Sequence, residues 1–228
     1  MFRDRQEAGR LLAGLVAKQL ASVSSSHGAP AATVVVGLPR GGLPVAKEVA
    51  LALNAPLTIL VSKKIGAPCQ PELAIGAVTS RGAMVLEESL RGQGKLVEYA
   101  EQQARQLAQI TRVKEQDWLK QAHEQPVNFG GKFVIVVDDG VATGMTTLAA
   151  LRSIADDRPA RLILAVPVVA SQTVLKLQGA CDLVIALLAP SDLQAVGLYY
   201  EDFHQVEDDE MLDAIVVANK KRRTNRAS

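Results

Sequence analysis

The sequence predicts an α/β protein with a mostly parallel central sheet flanked by helices. Short, fully apolar, β-branched runs recur along it: Thr33–Val36, Leu57–Val61, Lys132–Val137, Leu162–Val169 and Leu183–Leu187. Runs of that length without apolar/polar alternation are the mark of strands buried on both faces. Between them lie stretches with helical apolar spacing, and strands alternating with helices build βαβ units.

Taken in order, residues 4–22 read as an amphipathic helix through Leu11, Leu12, Leu15, Val16 and Leu20. Ser22 to Pro30 is a small-polar loop, and strand 33–36 ends at Gly37. Helical spacing returns over 43–53 and is stopped by Asn54-Ala-Pro56 before strand 57–61. Residues 62–93 are punctuated by Gly and Pro, and Ala74–Val78 can pair with Ala83–Leu86 across Thr79-Ser-Arg-Gly82. Leu96 to Ala122 is a long, polar, well-solvated helix carrying the lone Trp118, and Pro126–Gly131 breaks it. Strand 132–137, helix 145–154, strand 162–169, helix 171–177 and strand 183–187 complete the alternation.

Composition bounds the function. With 25 Lys+Arg against 24 Asp+Glu the net charge is +1, and 48% of the residues are hydrophobic. That excludes wholesale disorder and a broad basic footprint for nucleic acid, so any anion is held by local devices. The length of 228 residues suits one domain. Cys69 and Cys181 form neither a disulfide framework nor a zinc pattern. No signal peptide is visible, and no apolar run approaches the ~20 residues a membrane helix needs. A cytoplasmic protein is expected. The segment Asn219–Ser228 carries five basic residues and reads as a disordered tail, with nucleic-acid contact as the lesser alternative.

The segment richest in chemistry is Val134-Ile-Val-Val-Asp138-Asp139-Gly140-Val141-Ala142-Thr143-Gly144-Met145-Thr146-Thr147. A buried strand ends in two acids, and a Gly/Thr-rich turn opens a helix. In open α/β sheets ligands bind beyond the carboxyl ends of the strands. A helix start offers unpaired N–H groups to an anion, and the threonines add hydroxyls. Two carboxylates beside a phosphate cradle fit a ligand whose sugar hydroxyls and shared Mg²⁺ they can grip. The plainer alternative is a capped helix. The run is neither a Walker A loop nor a Rossmann fingerprint.

This run resembles the phosphoribosyl-diphosphate (PRPP) binding signature of type I phosphoribosyltransferases: four apolar residues, two acids, three loose positions, then Thr-Gly and a hydroxyl residue. The resemblance implies that Asp138 and Asp139 bind the ribose 2′- and 3′-hydroxyls, with Mg²⁺ as cofactor, and that Ala142 to Thr146 wraps the 5′-phosphate. Gly37-Leu-Pro-Arg40-Gly41-Gly42 stands where the family places its pyrophosphate loop, with a non-proline cis bond expected at Arg40–Gly41 and Arg40 facing the diphosphate. A plain glycine turn is the alternative. Lys63 and Lys64 stand at the start of the family's mobile loop, here about 65–93, as diphosphate ligands or as a solvated surface pair. Glu72 is a base, a nucleobase contact or an ordinary loop glutamate. Tyr199, Tyr200 and Phe203 either stack an acceptor in a "hood" spanning about 189–218 or pack in the core. His27, His123 and His204 show no ligand spacing.

Across most of its length the chain is similar to the subgroup called predicted phosphoribosyltransferases. The matching pieces include Phe2-Arg-Asp-Arg5, Lys64-Ile-Gly-Ala-Pro68, Pro71–Val78, Ala165-Val-Pro-Val168 and Ala195–Phe203. The resemblance implies a single type I phosphoribosyltransferase-like domain over 1–218, with a helical insertion at about 95–123. It implies transfer of the phosphoribosyl group from PRPP to a small nitrogenous acceptor with release of diphosphate. Arg40, Lys64, Asp138 and Asp139 would carry the chemistry. A homodimer is compatible; nucleic acid and membrane are not expected partners. One departure stands out: oxopurine-salvaging members carry an aspartate where this chain has Ala142, which argues against 6-oxopurine salvage and removes the obvious general base. The alternative is a PRPP-binding regulator on the same fold, since fold does not fix function.

Overall fold

The computed structural model describes residues 1–24 and 32–227; His27 and most of the expected 22–30 loop lie outside them. Five strands form one wholly parallel sheet: β1 (Thr33–Gly37), β2 (Leu57–Ile59), β6 (Phe133–Val137), β7 (Arg161–Val168) and β8 (Leu183–Leu188), in the order β2-β1-β6-β7-β8.

The continuous apolar runs have the expected cause. Val35, Ile135, Val137, Ile163 and Ala165 face one layer, in which helices α1 (Arg5–Ser24), α2 (Gly42–Ala52) and α6 (Asp208–Ala227) bury Leu12, Val16, Val45, Val49, Met211 and Ile215. The alternate residues Val34, Val36, Val134, Val136, Leu162 and Leu164 face Leu148, Leu151 and Ile154 of α4 (Met145–Ala155) and Leu177 of α5 (Ser171–Gln178). Strand side chains alternate faces, so a sheet covered on both sides needs apolar residues at every position.

Residues 62–86 fold as a second sheet, antiparallel, of β3 (Ser62–Ala67), β4 (Gln70–Thr79) and β5 (Met84–Leu86). The expected hairpin is present, with Ala77 opposite Val85 and the turn at Gly82, whose φ is +89°. The additional strand β3 was not expected. Its sequence, Ser-Lys-Lys-Ile-Gly-Ala, buries only Ile65 and has no hydrophobic period to reveal it. Helix α3 (Gly94–Gln121) is solvated outside but buries Ala100, Ala104, Thr111, Trp118 and Leu119.

The disordered tail is a correction. Helix α6 continues through Asn219 to Ala227. The buried Asn219 side chain donates to the Leu57 carbonyl and accepts from its N–H, both at 2.9 Å, completing the backbone pairing at edge strand β2. Arg223 pairs with Glu124. The basic residues belong to a helix anchored by its buried face, not to a frayed end.

Candidate active site

β1 leads through α2 to β2 on one side of the sheet, whereas β6 leads through α4 to β7 on the other. The strands stay parallel, but the direction in which successive strands are added reverses between β1 and β6. The carboxyl ends of strands at such a switch point leave a crevice where ligands bind in open α/β sheets. The two segments singled out in the sequence, 37–42 and 138–144, leave those two strands.

They meet closely. A methyl group on Gly41 would overlap Asp139 Oδ2, and one on Gly42 would come within 2.9 Å of Asp138 Cα and the Val137 carbonyl. Glycine is required there because backbone and carboxylate share the space a side chain would fill. The non-proline cis bond is Pro39–Arg40, one residue before the expected Arg40–Gly41; Gly41, at helical dihedrals (φ −59°, ψ −32°), is the N-cap of α2.

Both acids lie just beyond the end of β6, partly buried. Burial pushes the Asp138 carboxyl well above its usual range, and the charge of Asp139 adds to the effect. Burial also raises Asp139, although Arg5 opposes it. Arg5 Nε donates to Asp139 Oδ2 at 2.8 Å, with the arginine side chain 8% exposed. Its Nη1 donates to the His204 carbonyl at 2.8 Å, and its guanidinium lies 3.8 Å from the Phe203 ring centre. Sequence reasoning missed Arg5 as a site residue. The available signal was its place in Phe2-Arg-Asp-Arg5, where an arginine begins an otherwise apolar helix face.

The turn after the acids is held from behind. Val141 N–H donates to the Val168 carbonyl at 2.8 Å, and Thr173 Oγ1 donates to the Ala142 carbonyl at 2.6 Å. Gly144, at φ +74°, precedes α4, and no side chain caps that helix. The exposed Thr143 and half-buried Thr146 flank a helix start whose N–H groups can receive an anion.

The remaining candidates divide. Arg40 reaches the site's rim, with Nη1 3.4 Å from Glu207 Oε2 and 3.2 Å from Asp208 Oδ1. Lys63 lines a small cavity with Arg40. Lys64 is the next residue in β3 and faces the other side of the strand. Glu72 is exposed on the outer part of β4, in the β3–β4 hairpin, and no contact joins it to the acids. Tyr200 corrects the acceptor assignment: it is 5% exposed, packs its ring 5.3 Å from that of Phe2, and donates its hydroxyl to the Asp139 carbonyl at 2.6 Å. A short strand-like bridge between Phe2 and residue 200 draws the ring inward. Burial, then the negative charge of Asp139, pushes its phenol pKa up. Tyr199 is half-buried beside it.

Among the described residues no cluster of three or more His, Cys, Asp or Glu forms a ready-made metal cage. Asp138 and Asp139 supply hard carboxylate oxygens, which suit Mg²⁺ held by one or two carboxylates with the rest of its shell from ligand and water. The residues therefore fit a cation that arrives with its phosphates.

The phosphoribosyl transferase domain model matches residues 7–201. The chain belongs to that family. It is 37% identical over 212 residues to proteins named "Putative phosphoribosyl transferase" in two Mycobacterium tuberculosis strains, CDC 1551 / Oshkosh and H37Rv. The match covers 93% of this chain and 46% of theirs, so the chain spans about half the length of these relatives. The crystal structure of TT1426 from Thermus thermophilus is similar at 36% identity and a TM-score of 0.73, covering 95% of this chain and 98% of that one. No helix among the described residues is long and apolar enough to cross a membrane.

Proposed function

We propose that the crevice between β1 and β6 binds PRPP with Mg²⁺, and that the chain transfers the phosphoribosyl group to a nitrogenous acceptor, releasing diphosphate. The observation that carries this reading is the meeting of the Asp138–Asp139 pair with the side-chain-free backbone of Gly41 and Gly42 at the sheet's switch point. A carboxylate pair there suits vicinal hydroxyls, and the uncapped start of α4 suits the 5′-phosphate.

In this reading the nitrogen lone pair of the acceptor forms the bond to ribose C1 while the C1–O bond to diphosphate breaks. Positive charge develops on the ring, and the electron pair leaves with diphosphate. Asp138 and Asp139 hold the sugar and favour the cationic ring; Arg40 and Lys63 stabilise the departing anion. Arg5 fixes the orientation of Asp139 and favours its ionised form against the effect of burial. Bound Mg²⁺ would supply charge neutralisation on the phosphates. Ala142 offers no proton acceptor, which favours an acceptor other than a 6-oxopurine.

Calorimetric titration of PRPP with Mg²⁺ tests the site. Asp138→Asn/Asp139→Asn is expected to weaken binding about 100-fold, the loss of two charge-assisted contacts; unchanged affinity would sink the assignment. A screen of nucleobases and amines for diphosphate release tests the reaction. Tight PRPP binding with no release for any acceptor would favour the PRPP-binding regulator instead.

A further inference from the structure

Between the Arg40 loop and helix α3 lies a cavity of about 220 Å³. Its charged lining comes from three separate parts of the chain: Arg40 after β1, Lys63 at the start of β3, and Lys114 on α3. Trp118 and Ile110, also on α3, form the apolar part of the wall.

The charges do not balance internally. Arg40 pairs with Glu207 and Asp208, but Lys63 and Lys114 form no ion pair among the described residues. The Lys114 ammonium rests instead 4.4 Å from the centre of the Trp118 ring. A cation–π contact at an exposed site is worth only ~0.5–1 kcal/mol, so it yields easily to an anion. Glu207 and Asp208 offset the charge of Arg40, but Lys63 and Lys114 line the same small space without an ion-pair partner among the described residues, and an anion between them relieves their repulsion. The volume is below the ~300–1,000 Å³ of whole-ligand pockets, which fits a single anionic group rather than a complete nucleotide. The cavity borders Pro39 and Arg40, on the side of the crevice away from the α4 turn proposed for the 5′-phosphate.

We propose that Lys114 is a third cationic ligand for the diphosphate group of PRPP, so that helix α3 forms one wall of the leaving-group site. This rests on the phosphoribosyltransferase reading above. Arg40 supplies a planar fork, and Lys63 and Lys114 supply point charges on flexible stems that can follow the group as it departs. The residue was invisible in the sequence because Lys114 is one cation among many on a solvated helix.

The test uses the 228-residue chain and two probes, inorganic diphosphate with Mg²⁺ and ribose 5-phosphate, each titrated by calorimetry. Lys114→Gln is expected to weaken diphosphate binding about 10-fold, the worth of one charge-assisted hydrogen bond, and to leave ribose 5-phosphate unchanged. Lys114→Arg should restore most of the loss. The protein's single tryptophan gives a second readout: diphosphate should change Trp118 emission in the wild type and not in Lys114→Gln. Diphosphate affinity unchanged in Lys114→Gln, or equal weakening of both probes, overturns the proposal. So does an unchanged Trp118 emission while calorimetry shows diphosphate bound. The PRPP reading is judged separately, by whether Asp138→Asn/Asp139→Asn weakens ribose 5-phosphate.

Discussion

The two sheets of this protein treat charge in opposite ways. The parallel sheet is covered on both faces, and the carboxylates at the carboxyl end of its central strand are short, partly buried and held from several sides. Asp139, for example, is fixed by Arg5, by Tyr200 through its carbonyl, and by its own N–H bonded to Asp138 Oδ1. The small antiparallel sheet buries a core of Ile65, Ile75, Val78 and Leu90 against Ala100 and Ala104 of α3. Its two lysines, Lys63 and Lys64, are exposed on long stems. The parallel sheet thus carries fixed anionic groups, and the small sheet a movable cation, Lys63, beside Arg40. The sugar would be held by groups that do not shift, and the departing diphosphate by groups that can.

This contrast is broken most severely by Arg5→Ala. Removing one partner of a buried pair leaves an unpaired carboxylate and is expected to cost about 3–5 kcal/mol, measured by urea unfolding. A loss below about 1 kcal/mol would show that Asp139 does not depend on Arg5. Gly41→Ala comes next. Its methyl group must displace Asp139 Oδ2, and a misplaced group of this kind costs about 100-fold in PRPP affinity. Gly82→Ala, in open space at the hairpin turn, is the matched control: its positive φ costs about 1–2 kcal/mol of stability and leaves PRPP binding intact.

The smallest effect tests the seam between the sheets. Glu115 of α3 accepts from Val61 N–H at 2.7 Å and from Ser80 Oγ at 2.6 Å. Glu115→Ala leaves both donors without that partner and should cost about 1–3 kcal/mol. Burial raises the Glu115 carboxyl above its ordinary value. The folded protein therefore holds this proton more tightly than the unfolded chain does. The resulting stabilisation is complete below the ordinary glutamate value and fades as pH rises through the raised one. Thermal unfolding of Glu115→Gln against pH should lack that slope.

The sequence by itself determined the parallel sheet and the acid turn. Short β-branched runs such as Phe133–Val137, bounded by turn residues, read as strands buried on both sides, and Asp138-Asp139 fit at the end of such a strand rather than within it. Other features depended on contacts between residues far apart in the chain, which no local pattern encodes. Helix α6 had local signs, with Asp208, Asp209 and Glu210 in its first turn. Its reach through the basic segment, however, is fixed by Asn219 bonding to Leu57, 162 positions away. Arg5 meets Asp139 across 134 positions. Tyr200 could stack an acceptor or fill the core on composition alone, and the N-terminal segment decided for the core by placing Phe2 against it. Local periodicity records which face of an element is buried; only the folded chain decides which distant charge comes to rest beside it.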